Sequence, residues 1–220
     1  MNTVAGVILD LDGVIVDSEH LWERGWRACC ARRSVYWGAD DTATVQGMSS
    51  LEWSGYVAAK LGDPGLAGTV RAECVEHVVE AVHAGLAPLL DGAEELVRKI
   101  SDRARVALAS SAARKVIDAV LRRHRIEACF AATVSSEEVR RGKPSPDVYT
   151  EAARRIGLAK GHGIAVEDSG NGIRAAHAAG LTVIAIPNQQ YPPNPQALAL
   201  ADHVATDHRD ALDQVLARLP

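Results

Sequence analysis

Short runs of apolar and β-branched residues alternate along much of the chain with longer amphipathic stretches. The runs predict buried strands, and they are Val4–Leu9, Val106–Ala109, Cys129–Val134, Ile164–Val166, Thr182–Ile186 and His203–Ala205. The stretches predict helices, because their apolar residues recur every three or four positions, and they are Ala93–Ser101, Arg114–His124, Pro146–Ile156, Gly172–Ala178 and Arg209–Ala217. Gly157 and Gly180 stand where two of these helices should end. Strands that alternate with helices predict an α/β fold with a doubly wound parallel sheet.

The alternation is interrupted between about Val14 and Leu90, where no run predicts a strand. Helical spacing of apolar residues continues through this region, at Leu21–Cys29, Leu51–Leu61 and Val70–Val82. We therefore predict a helical domain, residues 15–89, inserted into a core formed by residues 1–14 and 90–220. Trp22 and Trp26 are four positions apart and are predicted to pack inside the inserted domain.

Composition narrows the possible partners of the protein. A net charge of −4 without a basic stripe argues against nucleic-acid binding. No apolar run approaches the roughly 18 residues of a membrane span. The four cysteines show no C-x-x-C spacing and are expected to be reduced, buried thiols. We expect a soluble, cytoplasmic protein, monomeric by default, with neither a membrane nor a nucleic-acid partner.

Polar residues stand at four boundaries of the predicted elements, which a parallel sheet brings to one edge. They are Asp10 and Asp12 after the first strand, Ser110 and Ser111 after the second, Lys143 shortly before a helix, and Glu167 and Asp168 after the fourth strand. Ser145 is predicted to cap the helix that follows Lys143, with Pro146 at its first position.

This combination of residues suits phosphoryl transfer. Carboxylates that converge repel one another unless a cation lies between them, and all-oxygen ligands favour Mg²⁺. If Asp10 attacks a phosphate dianion from about 3.5 Å, the repulsion is roughly 9 kcal/mol at an effective dielectric constant near 20, and Lys143 and a divalent ion offset it. Ser110 and the amides beside it would hold phosphate oxygens. Asp12 is placed to protonate the leaving alkoxide and then to deprotonate the attacking water.

On these residues the sequence resembles the haloacid dehalogenase superfamily, in the branch with a helical cap. The matching motifs are Asp10-Leu-Asp12-Gly-Val, Ser110, Gly-Lys143-Pro-Ser-Pro-Asp-Val-Tyr and Val-Glu167-Asp168-Ser-Gly-Asn-Gly-Ile. The resemblance implies a Rossmann-like core, with Asp10 as nucleophile and Asp12 as acid and base. It also implies that Mg²⁺ binds the carboxylates of Asp10 and Asp168 and the backbone oxygen of Asp12. Glu167 would contribute directly or through water.

The resemblance favours a phosphatase that acts on a small phosphate monoester, a sugar phosphate or a related metabolite. Halide-displacing members need no metal and lack the second aspartate, here Asp12. The alternative is a phosphosugar mutase similar to β-phosphoglucomutase, in which a cap histidine helps to gate that aspartate. Trp22 stands at the histidine position here, and His20 lies two residues earlier. Ala112 and Arg114 replace polar substrate-contacting residues, and both departures favour the phosphatase. A non-catalytic binding or regulatory module is the alternative from another class, although no essential motif residue is missing.

Candidate substrate contacts extend beyond the motifs. Gly47 and Ser49, in Gly-Met-Ser, resemble the cap loop that faces the active site in this family, and a plain turn between helices is the alternative. Ser111 and Arg114 are further candidates. Asp17-Ser18-Glu19 has instead the pattern of a helix start, in which Asp or Ser caps and Glu occupies the first turn.

Overall fold

The computed structural model describes residues 6–159 and 161–220. Six strands form one sheet: β1 (Gly6–Leu9), β2 (Arg105–Ser110), β3 (Ala132–Ser135), β4 (Gly163–Glu167), β5 (Thr182–Ala185) and β6 (His203–Val204). Their order in space is β3-β2-β1-β4-β5-β6, and every neighbouring pair is parallel. The predicted α/β fold is therefore confirmed. Val4 and Ala5, which begin the first predicted strand, lie outside the described residues.

The central strand β1 contributes side chains to hydrophobic clusters on both faces of the sheet. Val7 and Leu9 belong to one cluster, and Ile8, between them, belongs to the other. Successive side chains of a strand point to opposite faces, so helices have to cover both faces. This is the doubly wound arrangement that the continuous apolar runs predict.

The third strand begins later than predicted. Cys129 and Phe130 do not extend it toward its amino end, because Glu127–Cys129 forms a 3-10 turn from which both residues pack against the hydrophobic core. Pairing with β2 begins at the next residue, where Ala131 N donates to Val106 O at 2.8 Å. Apolar character alone does not distinguish a strand from a buried turn.

Four α-helices follow β1 along the chain before the elements that complete the sheet: α1 (Glu19–Ala31), α2 (Ala39–Val45), α3 (Ser50–Lys60) and α4 (Ala67–His83). The helical region predicted between Val14 and Leu90 is thus present. Helix α4 packs against both α1 and α3. Trp22 and Trp26 are buried between these helices with their ring centroids 6.3 Å apart, as predicted.

The remaining helices are α5 (Ala93–Ser101), α6 (Arg114–His124), α7 (Asp147–Arg155), α8 (Gly170–Ala178), α9 (Pro195–Leu198) and α10 (His208–Leu216). Gly157 and Gly180 follow α7 and α8 with positive φ angles of 73° and 78°, a conformation that favours glycine at helix ends. Helix α7 begins one residue later than predicted. Ser145 does not cap it, because the Ser145 hydroxyl donates to the Asp147 carboxylate at 2.5 Å.

Two chain segments join the inserted helices to the sheet, and they run side by side. Asp17 N donates to Pro88 O, and Leu90 N donates to Ile15 O, both at 3.0 Å. Helix α4 also packs against α6, and one hydrophobic cluster continues from the sheet into the inserted helices. The division into a core of residues 1–14 and 90–220 and a cap of residues 15–89 stays a prediction.

The thiols of the four cysteines are free, and those of Cys29, Cys30 and Cys74 are buried. Across residues 6–159 and 161–220, no helix combines the length and the hydropathy that crossing a bilayer requires.

Candidate active site

A buried lysine lies between two carboxylates at the carboxyl edge of the sheet. Lys143 Nζ donates to Asp10 Oδ1 at 2.8 Å and to Glu167 Oε1 at 2.5 Å. Asp10 follows β1 and Glu167 ends β4, and these two strands are paired neighbours. All three side chains are buried. The register of the sheet thus brings together residues that are far apart in sequence.

The carboxylate of Glu167 is held entirely by protein donors. Its Oε1 also accepts the hydroxyl of Tyr149 at 2.8 Å, and its Oε2 accepts the amides of Asp168 at 3.0 Å and Ser169 at 3.1 Å. Gly172 makes room for it, because a Cβ there would lie 1.7 Å from Oε1. Glu167 is therefore fixed at the start of α8. Tyr149 ends the third sequence motif and lies in the first turn of α7, but the sequence indicates no role for its hydroxyl.

The site contains more carboxylates than its lysine compensates. Burial raises the pKa of Asp10 to about 8, although the neighbouring Lys143 lowers it. Burial and the charge of Glu167 raise the pKa of Asp168 well above its ordinary value. Burial alone would lower the pKa of Lys143, but the charges of Asp10 and Glu167 hold that pKa above its usual range. An additional cation would relieve the excess negative charge.

The geometry of these carboxylates suits a metal ion. Asp10, Glu167 and Asp168 each offer an oxygen, and these atoms lie within 4.8 Å of one another. A buried, all-oxygen donor set with excess negative charge fits a hard divalent cation such as Mg²⁺. The residues present therefore fit the metal that the family resemblance implies.

Asp12 lies beside this cluster and receives two donors from the inserted helices. The Ser18 hydroxyl donates to Asp12 Oδ1, and Trp22 Nε1 donates to the same oxygen at 3.2 Å. Burial raises the pKa of Asp12, and these two hydrogen bonds oppose the increase. Helix α1 does begin at Glu19, as predicted, but Ser18 makes no side-chain cap and bonds to Asp12 instead. Trp22 is both a packing residue and a direct partner of Asp12.

The serines after β2 occupy different positions. Ser110 is fully buried, and its hydroxyl accepts the amide of Ala112 at 3.0 Å. Ser111 lines a cavity above Asp10 and donates to Gly47 O at 3.2 Å. Gly47 lines the same cavity, so the structure brings Ser111 and Gly47 to the site.

Ser110 does not line this cavity, and two other predicted contacts, Ser49 and Arg114, do not line it either. The Ser49 hydroxyl accepts the amide of Glu52 at 3.3 Å and caps α3. Arg114 donates to Thr133 Oγ1 at 2.7 Å and forms an ion pair with Glu138. Neither Ser49 nor Arg114 lines the cavity, because each is bonded to residues of its own helix or of the segment around β3.

A group of polar residues that the sequence motifs did not indicate links α1 to the loop after β5. Asn188 Nδ2 donates to Glu19 Oε2 at 2.8 Å and to Asp168 Oδ2 at 3.2 Å. Gln46 donates to Glu19 Oε1 at 3.1 Å, and burial raises the pKa of Glu19 to about 7. Tyr191 donates to Glu23 at 2.9 Å. These hydrogen bonds join segments that are distant in sequence, so no local sequence pattern predicts them.

Comparisons with known proteins agree with this geometry. Residues 4–180 match the haloacid dehalogenase-like hydrolase family. The chain is 29% identical over 203 residues to hexitol phosphatase B of Escherichia coli K12, and this alignment covers 90% of each chain. It is 28% identical over 184 residues to a bifunctional riboflavin kinase/FMN phosphatase of Arabidopsis thaliana, covering 83% of this chain but only 48% of that protein.

A solved structure shows the same fold. CbbY of Rhodobacter sphaeroides, crystallised as a mutant in complex with xylulose-1,5-bisphosphate, superposes with a TM-score of 0.78. That alignment covers 94% of this chain and 95% of the other at 23% sequence identity. With its motif residues assembled at one sheet edge and most of its length matched, the chain belongs to the haloacid dehalogenase-like hydrolase family.

Proposed function

We propose that this protein hydrolyses the phosphate monoester of a small metabolite, a sugar phosphate or a related compound, with Mg²⁺ and through an aspartyl-phosphate on Asp10. The chain is a phosphoric monoester hydrolase of its family. The observation that carries the proposal is the hydrogen bond of 2.8 Å between Lys143 Nζ and Asp10 Oδ1 in a buried cluster of carboxylates. Lys143 orients Asp10 and neutralises part of the charge that a phosphate meets there.

Asp10 and Asp168, with the backbone oxygen of Asp12, are the residues that we assign to Mg²⁺. Glu167 has both carboxylate oxygens engaged by protein donors, so we assign it to holding Lys143 in place. When bound, the ion would compensate negative charge and polarise the phosphoryl group.

The chain's own residues account for the proton transfers. Asp10 attacks phosphorus, and Asp12 donates a proton to the leaving alkoxide, a role that the upward shift of its pKa by burial favours. Asp12 then takes a proton from the water that attacks the phospho-aspartate. The donors Ser18 and Trp22 hold the Asp12 carboxylate in position throughout.

The mutase alternative differs in the fate of the phospho-aspartate. A mutase returns the phosphoryl group to a sugar hydroxyl, whereas a phosphatase gives it to water. Trp22 bonds to Asp12 where the mutase has a gating histidine, and this supports hydrolysis. The neighbouring His20 pairs with Asp17 at 3.3 Å and makes no bond to Asp12.

The test is to incubate the protein with sugar phosphates, with and without Mg²⁺, and to follow free phosphate and positional isomers together. Release of phosphate that depends on Mg²⁺, with no requirement for a bisphosphate activator, is the expected result. Conversion of β-glucose 1-phosphate to glucose 6-phosphate with little free phosphate would establish the mutase instead. If no phosphate ester reacts, the site is a non-catalytic binding module.

A further inference from the structure

The inserted helices present an aromatic surface to the active-site cavity. All four tryptophans of the chain lie between residues 22 and 53. Three of them, Trp22, Trp26 and Trp53, line the cavity together with Val45 and Met48. We refer to these five residues as the cap wall. This part of the cavity would face the organic group of a substrate whose phosphate lies at Asp10. The side chains of the cap wall therefore indicate which kind of organic group can bind.

The three tryptophans of the cap wall contact one another. The ring centroids of Trp53 lie 5.8 Å from Trp22 and 5.9 Å from Trp26. Because the rings pack on one another, little conformational entropy should be lost when a flat group binds to them.

Positive charge, by contrast, is scarce around the cavity. Among residues 6–159 and 161–220, Lys143 is the one lysine or arginine that lines it, and Lys143 is already bonded to Asp10 and Glu167. The charged residue that the inserted helices contribute is an acid, Glu19. A second phosphate or a carboxylate on the organic group would therefore be buried without a cation and close to like charge.

From this distribution we infer that the substrate is a monophosphate whose leaving group is uncharged and has a flat apolar face, such as a neutral sugar ring. The inference rests on the proposed function and narrows its substrate class. The C–H face of the ring packs on the cap wall. Esters with a second phosphate or a carboxylate are selected against. The xylulose-1,5-bisphosphate bound by the fold neighbour is of the disfavoured class.

Binding can be measured without turnover in the Asp10→Asn variant. The cap wall contains three of the four tryptophans, so intrinsic fluorescence should report on ligands. The experiment compares a hexose monophosphate with the bisphosphate of the same hexose, with Mg²⁺ present. We expect the monophosphate to bind at least about tenfold more tightly, because the second phosphate of the bisphosphate would be buried without a cation. Equal or tighter binding of the bisphosphate would overturn the inference.

A gain-of-function variant tests the same idea in the active enzyme. Met48→Lys places a cation on the cap wall and should raise kcat/KM for the bisphosphate relative to the monophosphate by about tenfold. The control is Leu51→Lys, because Leu51 is 56% exposed and lies outside the cavity lining. An unchanged ratio in Met48→Lys, or an equal change in the control, would contradict the inference. Failure of every ester to react in the wild type would contradict the proposed function instead, and the binding measurement would still decide the inference.

Discussion

The two sides of the active-site cavity are constructed differently. On the sheet side, Asp10, Lys143 and Glu167 follow strands or precede helices, and each is held by hydrogen bonds of 2.5–2.8 Å. On the other side, the cap wall consists of apolar and aromatic side chains from helices and a loop. In the proposed function the sheet side performs the chemistry, and we infer that the cap wall selects the organic group. Under this proposal, reaction and specificity are separated in the sequence as well as in space.

The largest effect is expected from the sheet side. Asp10→Asn should lower kcat by at least about a thousandfold, because an amide cannot attack phosphorus. The fold should persist, since the amide oxygen still accepts from Lys143 and the side chain keeps its size. Single-turnover kinetics and circular dichroism measure the two properties. More than about a hundredth of the wild-type kcat would remove Asp10 from the nucleophile role.

Removal of divalent metal should lower activity by at least roughly a hundredfold, and added Mg²⁺ should restore it. Ca²⁺ should restore little, because it prefers more ligands at longer distances. Full activity after exhaustive chelation would contradict the assignment of Asp10 and Asp168 to the metal.

The proton on Asp10 adds a pH dependence to metal binding. Burial raises the pKa of Asp10 from 3.8 to about 8, so the folded, metal-free protein holds a proton that the unfolded chain releases. The stability of the metal-free protein should therefore fall as the pH rises from about 4 to about 8. Mg²⁺ competes with this proton, and the increase in Tm that it causes should be larger at pH 8 than at pH 6. An equal increase at both values would argue that Asp10 does not bind the metal.

Gly172→Ala tests how closely the sheet side is fitted together. A Cβ at this position would overlap the Glu167 carboxylate, which then has to move away from Lys143. Displacements of about 1 Å in a catalytic site cost up to roughly a hundredfold in rate, so kcat should fall by tens of fold. Gly55→Ala, with no atom within 4 Å of the new Cβ, is the control and should add about 0.5–1 kcal/mol of stability. Wild-type kinetics in Gly172→Ala would show that Glu167 need not be fixed.

Trp22 is the residue where the two sides of the cavity meet, and its substitution should have the smallest effect. Trp22→Phe keeps an aromatic ring on the cap wall but removes the hydrogen bond to Asp12. Loss of a donor destabilises the carboxylate, so the pKa of Asp12 rises and the basic form appears at higher pH. We expect kcat to fall about tenfold, with the acidic limb of the pH profile displaced upward.

The matched control for that change is Trp37→Phe. Trp37 packs against Trp26 in a tilted arrangement in the same aromatic group, but its Nε1 donates to Thr42 at 2.9 Å rather than to Asp12. This variant should keep the wild-type pH profile. An equal displacement in both variants would attribute the effect to aromatic packing and not to the hydrogen bond.

The sequence by itself determined the sheet, most helices and the sheet side of the site. Continuous apolar runs predict buried parallel strands, and Asp10, Asp12, Glu167 and Asp168 could be identified because each lies within three residues of a strand end. Lys143 could be placed because it belongs to a local motif. Patterns of this kind are encoded within a few consecutive residues, so they can be recognised from the sequence without a structure.

Only the tertiary structure decided which other side chains reach the site. Tyr149 and Asn188 contact Glu167 and Asp168 across large separations in sequence, while Arg114 is drawn away to Thr133 and Glu138. Ser18 could have capped its helix but bonds to Asp12 instead. Each of these contacts depends on how the helices pack against the sheet. A polar side chain with several possible partners forms its hydrogen bond with the partner that packing brings within about 3 Å.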